Sequence, residues 1–419
     1  MLTTRPRGTN DILPGEVEKW QFLEQLTRQV CREYGYGEIR TPIFEHTELF
    51  ARGVGETTDI VEKEMYTFTD RGDRSITLRP EGTASTVRAY VENKLHALPQ
   101  PVKLYYTGPM FRYDRPQAGR YRQFHQFGVE VFGSNDPAID AEVIAMAMDI
   151  YHRIGLQNLK LHINSVGCPE CRPVLRQRLQ EYFKPHLSNL CSNCQGRYER
   201  NPLRILDCKS EKCQEIGQSA PTTLDVLCPE CNSHFESVKT YLDAVGVSYI
   251  IDNRLVRGLD YYTRTAFEIM TQDIGAQSSI GGGGRYNGLI EECGGPATPG
   301  IGFALGLERI LLTAERQGIT FPITRGPQVY IATVGSGIER QAFALLQDLR
   351  RQGIAAEKDY LGRSLKAQMK FAGKLDTRFV VILGEEEFDR GVAVVRDMQA
   401  GEQQEVSLRE LVLFIKART

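Results

Sequence analysis

The chain has 419 residues, 41% of them hydrophobic and 25% charged, values of a folded polypeptide with roughly two to four domains that exclude a mainly disordered or fibrous one. Lys plus Arg is 51 and Asp plus Glu is 53, a formal charge of -2. A globally basic nucleic-acid coat is therefore excluded, and any polyanion must bind at local patches.

No apolar stretch approaches the length needed to cross a bilayer, so no membrane partner is expected. Met1 to Asp11 holds no hydrophobic signal region, and the expected compartment is the cytoplasm. Val17, Leu23, Leu26 and Val30 recur at near-helical spacing, with Gly35 placed to end the helix. Pro42 blocks continuation, so Glu38 to Phe44 is predicted as a strand. Ile76 to Leu78, Val102 to Tyr106 and Gln126 to Phe132 are further strand candidates. Asp136 followed by Pro137 signals a capped helix start, and Ile139, Val143, Met146 and Ile150 carry that helix to Gly155. From about Gly167 to about Phe235 the composition shifts: eight of the ten cysteines lie here, with several prolines and few long apolar runs, as in an inserted module. Ala266 to Met270 has strand character again. The run Gly281 to Gly284 is by itself a tight turn or flexible loop, and Gly300 to Leu312 leads into an apolar helix. Ile323 to Pro327 has linker composition. Beyond it, Val329 to Val334, Ile338 to Arg351, Phe379 to Leu383 and Leu408 to Ile415 alternate strand and helix, predicting a small α/β domain with a largely parallel sheet.

The densest basic segment runs from Phe111 to Arg122. Arg112, Arg115, Arg120 and Arg122 stand among aromatics, with Pro116 and Gly119 between them. That composition suits either a hairpin loop gripping phosphate through arginine forks or a solvated charged hairpin. The glycine run, followed by Arg285 and Tyr286, has neither dinucleotide nor Walker spacing. Arg257 stands near Tyr261 and Tyr262, Arg309 begins an apolar helix, and Glu81 follows Arg79 and Pro80 in a loop. Each of these, in isolation, fits packing or a salt bridge as well as a site.

Together and in this order, the segments resemble a class II aminoacyl-tRNA synthetase, and within that class the histidyl-tRNA synthetase family, over nearly the whole chain. Arg7 to Asp11 resembles the family's N-terminal signature. Gly35 to Phe44 resembles motif 1, the dimer-interface helix and strand; Thr107 to Glu130 resembles motif 2; Gly300 to Arg309 resembles motif 3. Leu255 to Tyr262 and Gly282 to Leu289 resemble the two histidine-specific signatures. The resemblance implies an α/β and α+β multidomain protein. An antiparallel-sheet catalytic core would occupy 1–166 and 249–325, interrupted by a cysteine-rich insertion over 167–248 and followed by an α/β anticodon-binding domain over 326–419.

The implied activity is ATP-dependent ligation of L-histidine to its cognate tRNA by a homodimer, with Mg2+ accompanying ATP. Histidine and ATP give histidyl-adenylate, and the histidyl group then passes to the 3′-terminal adenosine. Attack of a carboxylate on an α-phosphate joins two anions, so cations must be preplaced. Arg112 matches the arginine on the α-phosphate and substrate carboxylate, Arg257 the catalytic arginine opposite it, and Arg309 the arginine on the γ-phosphate. Loss of one such cation costs on the order of 3 kcal/mol of transition-state stabilisation. Glu81 and Thr83 match the family's α-amino contacts, and Gln126 a contact to the bound amino acid. Glu130 and Tyr262 match the residues holding the ring nitrogens, with Tyr261 lining the same pocket. A site pairing both nitrogens can discriminate roughly 10⁴-fold, so no editing domain is expected. Arg115 and Gln117 fall where the family meets the tRNA acceptor end. Lys366, Lys370 and Lys374 recur every four residues, with Arg363 and Arg378 nearby. On a helix they form one basic stripe, either tRNA-facing or merely solvated.

Four cysteine doublets mark the insertion: Cys168/Cys171, Cys191/Cys194, Cys208/Cys213 and Cys228/Cys231. Such spacing lets paired thiolates reach one tetrahedral Zn2+. The doublets can combine in three ways. The favoured one joins Cys168/Cys171 to Cys228/Cys231, because the two identical Cys-Pro-Glu-Cys turns flank the module, and leaves the other two doublets as an inner site. The family does not require these cysteines, so the metal would be structural; reduced, metal-free thiols are the alternative. Three rival functions carry less support. A non-catalytic, histidine-binding regulatory paralogue typically lacks the C-terminal domain and degrades the arginines present here. A zinc-dependent nucleic-acid binder leaves most of the chain unexplained. A synthetase for proline, threonine or glycine conflicts with Leu255 to Tyr262.

Overall fold

The computed structural model describes residues 3–54, 58, 60–206, 208, 210–256, 259, 261–275, 278–323, 326–335 and 337–418. The chain forms two compact units, Met1–Leu13 with Lys19–Phe321, and Pro14–Glu18 with Pro322–Thr419.

Helix α1 (Val17–Tyr34), which belongs to the first unit from Lys19 on, buries Trp20, Leu23, Thr27, Val30 and Cys31 along one face. Gly35, at φ 78°, turns the chain out of it. The strand expected over Glu38 to Phe44 is instead two short ones. Strand β1 (Gly37–Glu38) pairs in parallel with the large sheet, whereas β2 (Phe44–His46) joins a separate three-stranded sheet. Pro42 lacks the N–H that a continuous ladder needs, and the carbonyls of Thr41 and Pro42 accept from the Arg79 guanidinium instead. Helix α2 (Thr47–Val54), β3 (Tyr66–Thr69) and β4 (Ser75–Leu78) follow, giving the small sheet the order β2-β4-β3. Next come α3 (Thr83–Glu92) and a long hairpin, β5 (Val102–Phe111) and β6 (Gln123–Phe132). Helix α4 (Pro137–Ile154) begins as predicted. The Asp136 carboxylate accepts from the Ala138 N–H at 2.9 Å, and Gly155 closes the helix at φ 92°.

After β7 (Lys160–Ser165) the cysteine-bearing module is helical: α5 (Cys171–Phe183), α6 (Ser192–Arg200), α7 (Glu211–Gly217) and α8 (Pro229–Ala244). Leu175, Leu179, Phe183 and Ile205 form its small core beside Cys194 and Cys213. The chain re-enters the sheet through β8 (Ile250–Ile251), β9 (Thr263–Met270) and β10 (Ser279–Arg285). It then passes α9 (Leu289–Glu292) and ends the unit with β11 (Gly300–Gly306) and α10 (Leu307–Arg316). The large sheet has the order β1-β5-β6-β11-β10-β9-β7-β8. Every pairing from β5 to β7 is antiparallel, and the two edge pairs are parallel.

The glycine run is neither a turn nor a flexible loop. Gly281 to Gly284 is the middle of β10, paired on both sides. A Cβ at Gly283 would stand 2.0 Å from the Gly302 carbonyl oxygen, and one at Gly281 would stand 2.4 Å from Leu305 Cδ2. Glycine is required here by close approach rather than by backbone freedom. At the end of the same strand, the fully buried Arg285 pairs with the fully buried Asp140 of α4. His234 of α8 meets the same carboxylate at 3.3 Å. Burial alone would raise the Asp140 pKa, but Arg285 and His234 hold it below its ordinary value.

The second unit holds β12 (Val329–Val334), α11 (Glu339–Arg351), β13 (Ala356–Lys358), α12 (Leu365–Lys374), β14 (Phe379–Gly384), α13 (Glu385–Asp389), β15 (Val392–Asp397), β16 (Gln403–Ser407) and α14 (Leu411–Lys416). Its strand order is β13-β12-β14-β15-β16. The β12 pairings are parallel and the other two antiparallel, so the sheet is mixed rather than largely parallel. Alternation along β12 serves both faces. Val329 and Ile331 pack with Leu346, Leu349 and Leu411, whereas Tyr330 and Ala332 pack with Ala372. Among the described residues, no helix is long and apolar enough to cross a membrane.

Candidate functional site

The centre of the first unit is a buried carboxyl. Glu130, on β6, is 1% exposed. Thr83 donates to its Oε1 at 2.7 Å and Tyr106 at 3.3 Å, while the Tyr286 hydroxyl donates to Oε2. Burial pushes its pKa up to about 8, partly opposed by these hydroxyls and reinforced by nearby Glu81. The sheet register sets Gly302 opposite Glu130, and a Cβ there would lie 2.0 Å from Oε2. Tyr106 is accommodated in the same way between Gly82 and Gly128, where added Cβ atoms would come within 2.2 Å and 2.4 Å of its ring.

Glu81 lies just before α3, also buried, and accepts from the Thr83 N–H at 2.6 Å and the Ala84 N–H at 2.8 Å. An anion at a helix N-terminus is favourably placed. Burial nonetheless raises its pKa, against the lowering effect of those two N–H groups. Tyr261 and Tyr262 are buried side by side, ring centroids 4.7 Å apart, and Tyr261 stacks edge-on against Tyr286 at 5.5 Å. Burial, then Tyr262, Glu81 and Glu130, keep the Tyr261 hydroxyl protonated. Gln126 has a buried Oε1 with no hydrogen-bond partner among the described residues.

The arginines form the second half of the site. Arg112 donates from Nε to the Pro80 carbonyl at 2.8 Å, with its guanidinium 5.2 Å from the Phe124 ring centroid. Burial lowers its pKa, opposed by Glu64 and Glu81. Arg309, on α10, donates to the carbonyls of Gly119 and Ser279. Its pKa is lowered by burial and by the like charges of Arg120 and Arg112. Arg120 is in turn paired with Asp114. The Arg112 to Arg122 segment is thus a hairpin loop, pinned by the N-terminal segment through Arg122 N–H to the Gly8 carbonyl at 2.8 Å. Arg115 and Gln117 are exposed on it. Arg257 lies outside the described residues, so the structure does not test its expected placement.

Three comparisons with known proteins bear on this chain. A family model described as histidyl-tRNA synthetase matches residues 8–310, and one described as an anticodon binding domain matches residues 328–418. A histidine–tRNA ligase of Pelotomaculum thermopropionicum is 68% identical over 418 residues, spanning 100% of this chain and 98% of its own length. One of Moorella thermoacetica is 64% identical over 416 residues, spanning 99% and 98%. The chain belongs to the histidyl-tRNA synthetase family. The crystal structure of apo histidyl-tRNA synthetase from S. aureus agrees at the level of fold. It has a TM-score of 0.86 at 45% identity, over 99% of this chain and 100% of that one.

Beside the residues that the histidyl-tRNA synthetase resemblance singles out, the structure adds Tyr106 and Tyr286, whose hydroxyls are the phenols on Glu130, and Gly302, which makes room for it. Tyr286 lies in the segment Gly282 to Leu289 that resembles a histidine-specific signature, but nothing in the sequence pairs it with Glu130. Tyr106 carried no signal beyond its place in a strand. In the second unit, Lys366, Lys370 and Lys374 are all exposed on α12, and the buried Gln368 and Ala372 lie on its inner side.

The cysteines assemble as the flanking turns suggest. Cys168, Cys171, Cys228 and Cys231 form one cluster, and Cys191, Cys194, Cys208 and Cys213 the other, with the sulfurs of each set within 4.8 Å of one another. Sγ separations are 3.7 Å for Cys168–Cys171 and 3.8 Å for both Cys168–Cys228 and Cys191–Cys208. These are far beyond a disulfide. A tetrahedron of thiolates around Zn2+, with Zn–S of about 2.3 Å, has an edge of about 3.8 Å. Backbone N–H groups of Cys228 and Cys191 point at Cys171 Sγ (3.2 Å) and Cys213 Sγ (3.3 Å).

Proposed function

We propose that the pocket between Glu81 and Glu130 is where this chain carries out its family's reaction. The chain ligates L-histidine to its cognate tRNA at the expense of ATP. One observation carries the assignment of the pocket: a buried carboxyl ringed by three hydroxyls, beside a second buried carboxylate and a set of arginines.

Glu81 and Thr83 hold the substrate α-amino group, and the unpaired Gln126 oxygen takes a further donor of the bound amino acid. Glu130 and Tyr262 take the two ring nitrogens, with Tyr261 as the wall of the pocket. Tyr106 and Tyr286 fix the orientation of the Glu130 carboxyl, which titrates close enough to an imidazole to share its proton. Arg112 sits on the α-phosphate and the substrate carboxylate. Arg257 supplies charge on the opposite side, and Arg309 meets the γ-phosphate. Arg112 and Arg309 are held by backbone carbonyls before substrate arrives, so little reorganisation of these two is left for the reaction itself. Mg2+ enters with ATP and offsets phosphate charge. The acceptor end of the tRNA meets Arg115 and Gln117, and Lys366, Lys370 and Lys374 meet it elsewhere. Gly35 to Phe44 serves as a homodimer interface, and the protein works in the cytoplasm. Both cysteine clusters hold structural Zn2+, supported by their tetrahedral sulfur spacing.

Amino-acid-dependent ATP–pyrophosphate exchange tests the assignment. Histidine should support exchange, and proline and threonine should not. Arg257→Ala should remove most of it from a folded protein. Equal exchange with proline or threonine would refute histidine specificity.

A further inference from the structure

We propose that the outer cysteine cluster positions the aromatic wall of the histidine pocket, so that its metal governs affinity for the amino acid. The inference rests on the pocket and zinc assignments above. Both Cys-Pro-Glu-Cys turns grip the short segment that carries Tyr261 and Tyr262. Cys171 is the first residue of α5, and the adjacent Arg172 donates from its guanidinium to the Tyr262 carbonyl. Immediately before the first turn, the Gly167 carbonyl accepts from the Arg264 N–H at 2.8 Å, and the Val166 N–H donates to the Arg264 carbonyl at 2.7 Å. From the second turn, Glu230 pairs with the Arg264 guanidinium at 3.2 Å.

Arg264 needs such restraint. It stands at φ 52°, in the left-handed region that a side chain with a Cβ rarely adopts. The turns themselves are tightly stacked, since a Cβ on Gly167 would lie 2.6 Å from Cys171 Cβ. A metal bridging the four sulfurs fixes the two turns relative to each other. Through Arg172, Gly167 and Glu230 it then fixes Tyr262 to Arg264 at the mouth of β9. Arg172 is accordingly a positioning residue, acting through the Tyr262 backbone and not on the substrate. Among the described residues the inner cluster makes no such hydrogen bond to that segment: its cysteines lie within the module's own core.

The test uses the full-length enzyme, elemental analysis and histidine-dependent exchange. Wild type should carry two zinc ions per chain, by the two clusters. A zinc-free, stably folded enzyme would overturn the zinc assignment and this inference with it. Arg172→Ala should keep both ions and raise the histidine KM about tenfold, the scale of an outer-shell contact, with kcat and the ATP KM within about twofold. Arg172→Lys should recover part of the loss. The neighbouring Arg176→Ala, whose guanidinium reaches only the Glu199 carbonyl among the described hydrogen bonds, should leave the histidine KM unchanged. Cys231→Ser should lose one ion and raise the histidine KM like Arg172→Ala, and the double variant should add little, because both act through one path. If Arg172→Ala keeps its zinc and its wild-type histidine KM, the positioning role is wrong while the zinc assignment stands. Arg172 is not a metal ligand, so this variant decides the matter even if Cys231→Ser fails to fold.

Discussion

Glu130 is an acid whose proton is held more tightly in the folded chain than in the unfolded one, because its charge would sit in a dry cavity. Its pKa rises from an ordinary 4.5 to about 8. The neutral carboxyl's contribution to stability is complete below 4.5 and is lost as pH climbs from there through 8. Glu130→Gln mimics the neutral form, so its unfolding free energy should gain on wild type by about 2 kcal/mol between pH 6 and 8.5 in urea titrations. The same variant should weaken histidine binding, read as a raised KM in exchange. Gly302→Ala attacks the same carboxyl sterically. With its Cβ due 2.0 Å from Oε2, it should destabilise by about 1–3 kcal/mol and lose histidine-dependent exchange. Glu130 could be found in sequence because it lies in a segment resembling motif 2. Its cover could not. The two tyrosines that bond it come from 24 and 156 residues away, and only the closed sheet brings them together.

At the scale of elements, β10 carries the most structure in the least side chain. Its glycines let β9, β10 and β11 close up, and its last residue, Arg285, reaches the Asp140 carboxylate of α4. Arg285→Met should cost about 3–5 kcal/mol in chemical denaturation, since it leaves the buried Asp140 carboxylate with His234 as its remaining ring or cationic partner among the described residues. Replacing both partners, Arg285→Met with Asp140→Leu, should recover much of that loss. Local chemistry announced some elements well. Asp136, Pro137 and Gly155 mark both ends of α4, and the buried face of α1 repeats at helical spacing. Glycine in β10 did the opposite. Its local preference is for turns, and only the neighbouring Gly302 carbonyl and Leu305 side chain explain it. The β15–β16 hairpin was missed for a related reason: β16 reads Gln403, Gln404, Glu405 and buries only Val406, which leaves little apolar alternation to detect.

For the molecule as a whole, a formal charge of -2 means that tRNA is held by patches and not by a general field. Replacing Lys366, Lys370 and Lys374 together with alanine should weaken tRNA binding. It should also flatten the salt dependence by about one unit of log–log slope for each lysine that meets a phosphate. Filter binding across a salt series measures both, and histidine-dependent pyrophosphate exchange, which needs no tRNA, should be untouched. The outer cysteine cluster has a last consequence, for the order in which the chain assembles. Strands β7 and β9 are neighbours in the sheet, yet the whole module lies between them in the chain. Cys168 and Cys228 are 60 residues apart, and bringing such ends together costs about 4 kcal/mol of chain entropy. A zinc ion that ties them early turns a distant encounter into a local one, so refolding from denaturant should run faster with zinc than with a chelator.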